Sequence, residues 1–374
     1  MSQKKIHSKI TLKFPRLTPR LLILILGPLI TTVIQTIYTS HSLNQIRMEE
    51  FAESIRNVYW FNRGALYNYL SHHIGWYATV NLANQLIGFN LFTAKFLKIF
   101  ISYVSSLSVG WLSLRFFKNW KYALIVYLSY VLSPTLLYFN SLQALFGTDL
   151  LYIPILLVLA LNSWGGKKLW QYTNALLFGL LLMLSYFTYA VFYFSIPFIL
   201  FVFVYIGYLT ERKKSNQVKH LLKQIGLHIA AVIGGASLII VYLWRILIDF
   251  KMLDFYIYLM KQGGQTYPHI PNLPDFITNL KHLLHDLFIT GSSYHYELQY
   301  PDYSLIIPAI SILTAIVILI IYRKKLKKEL PLLSVAGVMV LYNIFIIQYR
   351  NGPITDSGIR RSTIILLFLY FYTV

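Results

Sequence analysis

At 374 residues the chain has the length of roughly two or three soluble domains, but 57% of it is hydrophobic, only 12% is charged and the mean hydropathy is +0.58. Soluble domains carry about twice that charged fraction, so a water-soluble architecture is excluded. With no cysteine, a disulfide framework and a thiol nucleophile are excluded too. The net charge of +20, from 33 basic and 13 acidic residues, suggests nucleic acid until each charge is placed along the chain.

A basic arm (Lys4, Lys5, Lys9, Lys13, Arg16, Arg20) precedes the first apolar run, Leu21–Tyr38. That run is long for a signal-peptide core and no small-residue cleavage site follows it, so we expect a retained anchor. Further runs lie near 96–114, 122–139, 150–163, 170–187, 190–209, 226–248, 304–322, 331–348 and 363–374. Most have the roughly 17–25 residues that span a hydrocarbon core, where only helices or closed barrels satisfy their backbone groups. The expected fold is all-α, one polytopic transmembrane helix bundle of about ten spans over 1–374. Trp170–Leu209 is too long for one crossing and is split near Thr188; Thr363–Val374 is too short, and a truncated C-terminal end is the expectation.

If these spans alternate, the arm falls on one face with Arg115/Lys118/Lys121, Lys167/Lys168, Arg212/Lys213/Lys214/Lys219/Lys223 and Arg323/Lys324/Lys325/Lys327/Lys328. Those clusters hold 21 of the 33 basic residues, and only Glu211 and Glu329 among the acids join them. This is the positive-inside asymmetry: a multi-pass cell-membrane protein, N-terminus cytoplasmic, with anionic headgroups as the basic face's partner and no nucleic acid.

Two extracytoplasmic loops are long. In 39–95, Met48, Phe51, Ile55 and Val58 form an apolar stripe at helical spacing, with Glu49, Glu53 and Arg56 on another face. Tyr67, Leu70, Ile74, Trp76 and Tyr77 follow, aromatics of the kind that settle at headgroup depth, so both segments read as interfacial helices lying along the membrane. In 249–303, a Gly263–Gly264 break leads to Pro268, Pro271 and Pro274, then an apolar stripe from Phe276 to Leu287, then Tyr294-His295-Tyr296. Such a loop suits a lid or an ordinary surface segment.

The spans' centres hold almost no ionisable residue, which argues against an ion-coupled carrier and moves any chemistry to the outer surface. Arg245 and Asp249, four apart on one helix, most simply pair with each other. Glu49 and Glu50, about ten residues beyond the first span, are adjacent carboxylates whose repulsion and burial would suit a general base. Asp149 stands just before the fourth span. His282 and Asp286, also four apart, could share a metal or form an exposed polar face, and Tyr294-His295-Tyr296 could stack on a sugar.

The order of these features resembles the GT-C superfamily of polytopic glycosyltransferases, especially the protein-mannosyltransferase and aminoarabinose-transferase branch. That branch has an Asp-Glu pair early in the first outer loop; here the stretch reads Met48-Glu49-Glu50-Phe51-Ala52-Glu53, and Gly88-Phe89-Asn90-Leu91-Phe92-Thr93-Ala94-Lys95 resembles its Gly-to-basic approach to the second span. The likeness covers about the first 210 residues. It departs where Glu49 replaces Asp, and where His72-His73-Ile74-Gly75-Trp76 replaces a Pro-Pro segment. The resemblance implies transfer of a sugar from a polyprenyl-phosphate donor to a glycan, lipid or protein hydroxyl. Glu49, with Glu50, would be the base, and Asp149 would orient the acceptor or help bind a divalent metal, the one cofactor the resemblance suggests. Arg56, Arg63, Arg350, Arg360 and Arg361 would meet the lipid phosphate, since the guanidinium fork binds two of its oxygens. A transporter or flippase, and a cell-envelope polysaccharide polymerase or ligase, fit the same composition.

Overall fold

The structure, a computed structural model, describes residues 18–42, 56–65, 73–88, 93–116, 119–131, 148–188, 196–214 and 217–263. Within them every regular element is a helix and there is no strand. In chain order these are α1 (Pro19–Ser42), α2 (Ile74–Ile87), α3 (Thr93–Phe116), α4 (Trp120–Val131), α5 (Thr148–Ser163), α6 (Lys168–Thr188), α7 (Ile196–Arg212), α8 (Val218–Asp249) and α9 (Leu253–Gly263); residues 56–62 add a short helical segment. The runs expected at 304–322, 331–348 and 363–374 lie outside the described residues.

Among the described residues two helical stretches, Phe96–Arg115 and Val218–Asp249, are long and apolar enough to cross a membrane. At about 1.5 Å per residue, the 32 residues of α8 extend about 48 Å. It begins eight residues before the run expected at 226–248, taking in Lys219 and Lys223, both exposed. Lysine is a good helix former and its stem lies along apolar surface while the ammonium stays wet, so two lysines need not end a helix.

Close pairs fix how the helices stack. α6 and α8 run side by side in the same direction: His228 meets Tyr172, Gly179 abuts the Val232 carbonyl and Gly235 the Leu176 carbonyl, so closely that a Cβ on either glycine would overlap backbone. Small residues let membrane-type helices approach at this range. α5 and α7 run against them, for Trp164 near the end of α5 packs on Phe203 of α7 (5.4 Å) and on Gly207. Beside these, Tyr127 of α4 fills the space over Gly27 of α1 and Gly110 of α3, and Ser105 of α3 hydrogen-bonds Tyr130 of α4 at 3.0 Å.

The stack therefore has two ends. At the basic end α5 and α7 finish and α6 and α8 start, bringing Lys167, Lys168, Arg212, Lys213, Lys214, Lys219 and Lys223 together; Arg115 and Lys121 flank the turn from α3 to α4. At the distal end lie the last turns of α6 and α8, the first turn of α5, residues 56–65, α2 and α9. Phe61 packs on Phe250 (5.9 Å, edge to face), and Gly64, at φ +75°, also sits on Phe250. Gly75 touches the Phe187–Thr188 peptide, closing α2 onto the end of α6.

Helix α2 buries Ile74, Trp76, Tyr77, Ala78 and Val80 in the protein core. The reason lies in Gly75: with no Cβ, α2 seats directly on α6 and carries its aromatics inward. Gly88 ends α2 at φ 83°, ψ 155°, a backbone region that is essentially glycine-only.

Candidate functional site

The distal end collects buried polar groups that have no hydrogen-bond partner: Trp76 Nε1, both amide atoms of Asn84, Thr93 Oγ1, Tyr152 Oη and Thr188 Oγ1. Leaving a buried donor or acceptor unpaired costs about 1–3 kcal/mol each, so such a concentration calls for a physical reason. Helical register places them. On α2, Trp76, Val80 and Asn84 recur every fourth residue and form its inward face. On α5, Tyr152 stands in the first turns, three residues after Asp149. The hydroxyls of Tyr152 and Thr188 face each other across α5 and α6 without reaching hydrogen-bond geometry. Gly75 holds the start of α2, and with it Trp76, next to Thr188.

Lys98 belongs to the same end. It is buried to 1% exposure on α3, five residues from the N-terminal Thr93. Lys98, Ser102 and Ser105 recur at i, i+4 and i+7 on one face of α3, and Ser105 continues it to the Tyr130 hydroxyl. A buried ammonium persists only when paired or hydrogen-bonded, and an ionisable group inside a membrane-length helix marks function by default. Lys98 lies inside the 96–114 run, and its spacing with the two serines is the sequence signal that marks it.

Of the residues singled out from the sequence, Asp149 lies in the first turn of α5, at the distal end. Arg56 and Arg63 are exposed on the 56–65 segment, and Arg63 stacks over the Tyr59 ring at 4.2 Å, a cation–π contact. The segment's inward face is Asn57, Val58 and Phe61. Glu49, Glu50, Tyr294, His295, Arg350, Arg360 and Arg361 fall outside the described residues, as do His282 and Asp286. Among the described residues no group of three His, Asp or Glu side chains could hold a metal. Arg245 and Asp249 do pair, at 3.6 Å, with both side chains largely exposed. On α9, burial pushes the Tyr256 hydroxyl above its ordinary range, and the neighbouring Tyr186 adds to the shift.

Comparison with known protein families, with curated proteins and with solved structures gives no match.

Proposed function

We propose that the chain is a polytopic membrane glycosyltransferase of the GT-C type, transferring a sugar from a polyprenyl phosphate to an acceptor hydroxyl at the extracytoplasmic surface. The observation that carries this reading is the polarity of the helical stack. Cations crowd one end, as a cytoplasmic face requires, and buried polar groups without partners gather at the other, around the start of α5 where Asp149 lies. In the proposed reaction Glu49 takes the acceptor's proton, and the hydroxyl oxygen forms a bond to the anomeric carbon. The bond from that carbon to the phosphate oxygen breaks, and polyprenyl phosphate departs with the electron pair. Cations aimed at the departing charge lower the barrier; Arg56 and Arg63, exposed on the 56–65 segment, suit this role, and Lys98 is a buried ammonium in the first turns of α3.

The test is transfer by the purified chain from lipid-linked sugar to acceptor. Glu49→Gln is expected to abolish the new glycosidic bond while the protein still inserts and folds. A Glu49→Gln, Glu50→Gln double variant with full activity removes the catalytic assignment. Lys98 also favours a transporter, since carriers use buried ionisable groups. Movement of the lipid-linked sugar across sealed vesicles with no new glycosidic bond decides for that reading.

A further inference from the structure

Two short segments meet at the distal end of α8, and each turns aromatic rings outward. Between residues 56 and 63 helical periodicity sorts the side chains. Asn57, Val58 and Phe61 are buried, while Arg56, Tyr59, Trp60 and Arg63, at i, i+3, i+4 and i+7, are exposed. The apolar stripe expected to meet the membrane thus turns inward at Val58, and the opposite face carries two arginines and two aromatics. Tyr59 and Trp60 pack edge to face at 5.7 Å. On α9 the division repeats: Leu253 and Tyr256 pack inward, and Phe255 and Tyr258 are exposed, their rings stacked at 6.3 Å. Phe250 joins the two segments, for it is the C-cap of α8 and both Phe61 and Gly64 rest on it. Lys251, in the left-handed region at φ 54°, donates its N–H to Ile248 O, and Met252 donates to Leu247 O. This is the Schellman closure of a helix, and it turns α9 off the axis of α8.

Helix α8 supplies a depth scale. Lys223 and Arg245, 22 positions apart on it, are separated by about 33 Å at about 1.5 Å per residue, close to the roughly 30 Å of a hydrocarbon core. Phe250 lies five positions beyond Arg245, about 7 Å further out, which is headgroup depth. Tyrosine and tryptophan concentrate at that level because an apolar ring with a polar atom suits both media, and a guanidinium forks onto phosphate oxygens. We propose that the outward faces of residues 56–63 and of α9 form a docking surface for the phospholipid headgroup layer of the extracytoplasmic leaflet, fixing the depth of the distal end. The partner is the layer and not one bound lipid. Tyr59, Trp60, Phe255 and Tyr258 are between 38% and 53% exposed, a surface that many lipids share, whereas a single ligand is held in a cleft that buries most of it. The inference rests on the membrane part of the proposed function and on none of its chemistry.

The chain has no cysteine, so single spin labels can be placed on the full chain without other changes. Trp60→Cys, Phe255→Cys and Tyr258→Cys label the two outward faces, in vesicles of phosphatidylethanolamine and phosphatidylglycerol. Collision with oxygen, which concentrates in hydrocarbon, and with a nickel chelate, which stays in water, reads the depth of each label. Ile233→Cys and Leu238→Cys, exposed on α8, calibrate the hydrocarbon, and Lys213→Cys, exposed at the basic end, calibrates the water. Labels on both segments are expected between these limits, about 5–10 Å into the headgroup–acyl boundary. The docking surface is overturned if either segment reads as open water, as hydrocarbon, or as shielded from both reagents, which would mean that protein covers it. A depth reached only after polyprenyl phosphate is added overturns it too, in favour of that one lipid. Quenching by lipids brominated along the acyl chain, compared between the unmodified chain and Trp60→Phe, places the Trp60 ring without a label; a difference insensitive to bromine position counts against the surface. Labels at Ile233 and Leu238 that read as water remove the membrane reading and the surface together. Failure at Trp60, Phe255 or Tyr258 alone leaves the proposed function standing.

Discussion

Among the described residues, the basic and distal ends of the stack both bury polar side chains but treat several of them differently. At the basic end they are mostly consumed. His228, fully buried, sets Nε2 at 2.9 Å from Ser163 O and Nδ1 at 2.9 Å from Gln224 O; its Nε2–H tautomer donates to Ser163 O, and the ring stacks on Trp164 at 3.9 Å. Ser163 ends α5, where carbonyls lack intrahelical partners, so His228 serves as a cap contributed from α8. Glu211 pairs with Lys214 and with His220 at 3.4 Å. The amides of Gln171 and Asn174 donate to Gly166 O and Trp170 O, and only Trp164 Nε1 is left over. At the distal end Trp76, Asn84, Thr93, Tyr152 and Thr188 are all left over. Polar burial that is satisfied within the protein stabilises it; polar burial that is unsatisfied weakens it unless something else binds there. Substitutions should therefore shift stability in opposite directions at the two ends.

The largest effect is expected where the two ends are joined. Gly179 and Gly235 let α6 and α8 touch backbone to backbone, so Gly235→Ala must force the helices apart, at a cost of about 3 kcal/mol by overpacking. Thermal unfolding in detergent should show a large fall in midpoint. Gly234→Ala, one residue away with open space around it, should be neutral or gain up to about 1 kcal/mol from helix propensity. Equal behaviour of the two variants would show that α6 and α8 are not in this register.

His228→Phe comes next. The ring stack on Trp164 is retained, but the Ser163 carbonyl loses its donor, so we expect a loss of about 2 kcal/mol. Hydrogen exchange should accelerate in the last turn of α5 before it changes elsewhere. At the distal end, Asn84→Leu should act with the opposite sign, raising stability by about 1 kcal/mol because an unpaired amide is replaced by an apolar group of similar size. A fall in the unfolding midpoint for Asn84→Leu in the absence of ligand would erase the contrast between the ends.

Much of this architecture was legible from hydropathy. α1, α3, α5 and α6 each contain the apolar run expected for them, extended by a few residues, because an uninterrupted apolar run and a helix have the same cause in a medium without water. Charge was less reliable as a guide: Lys219 and Lys223 lie within α8, and Lys98, inside the 96–114 run, is buried. The inward turn of α2 was not legible at all. Aromatics at headgroup depth and aromatics in a core have the same composition and spacing, and the deciding residue, Gly75, matters only through the peptide of α6 that it meets. Of the expected catalytic constellation, Asp149 reaches the distal end through the run of α5, while pairing it with Glu49 requires long-range geometry that no local pattern encodes.

The smallest effect is expected from Arg245 and Asp249, and it tests whether burial, and not the mere presence of polar pairing, separates the two ends. The pair sits near the distal end of α8 with its side chains 81% and 61% exposed. Its attraction is screened, and holding both side chains in one geometry costs entropy, so an exposed pair four apart contributes about 0.5 kcal/mol or less. Arg245→Ala should thus leave the unfolding midpoint nearly unchanged, and what little change there is should vanish at high salt. A loss rivalling that of His228→Phe would mean that Arg245 is enclosed by parts of the protein beyond α8, and the exposed pair would then no longer separate the effect of burial from that of polar pairing.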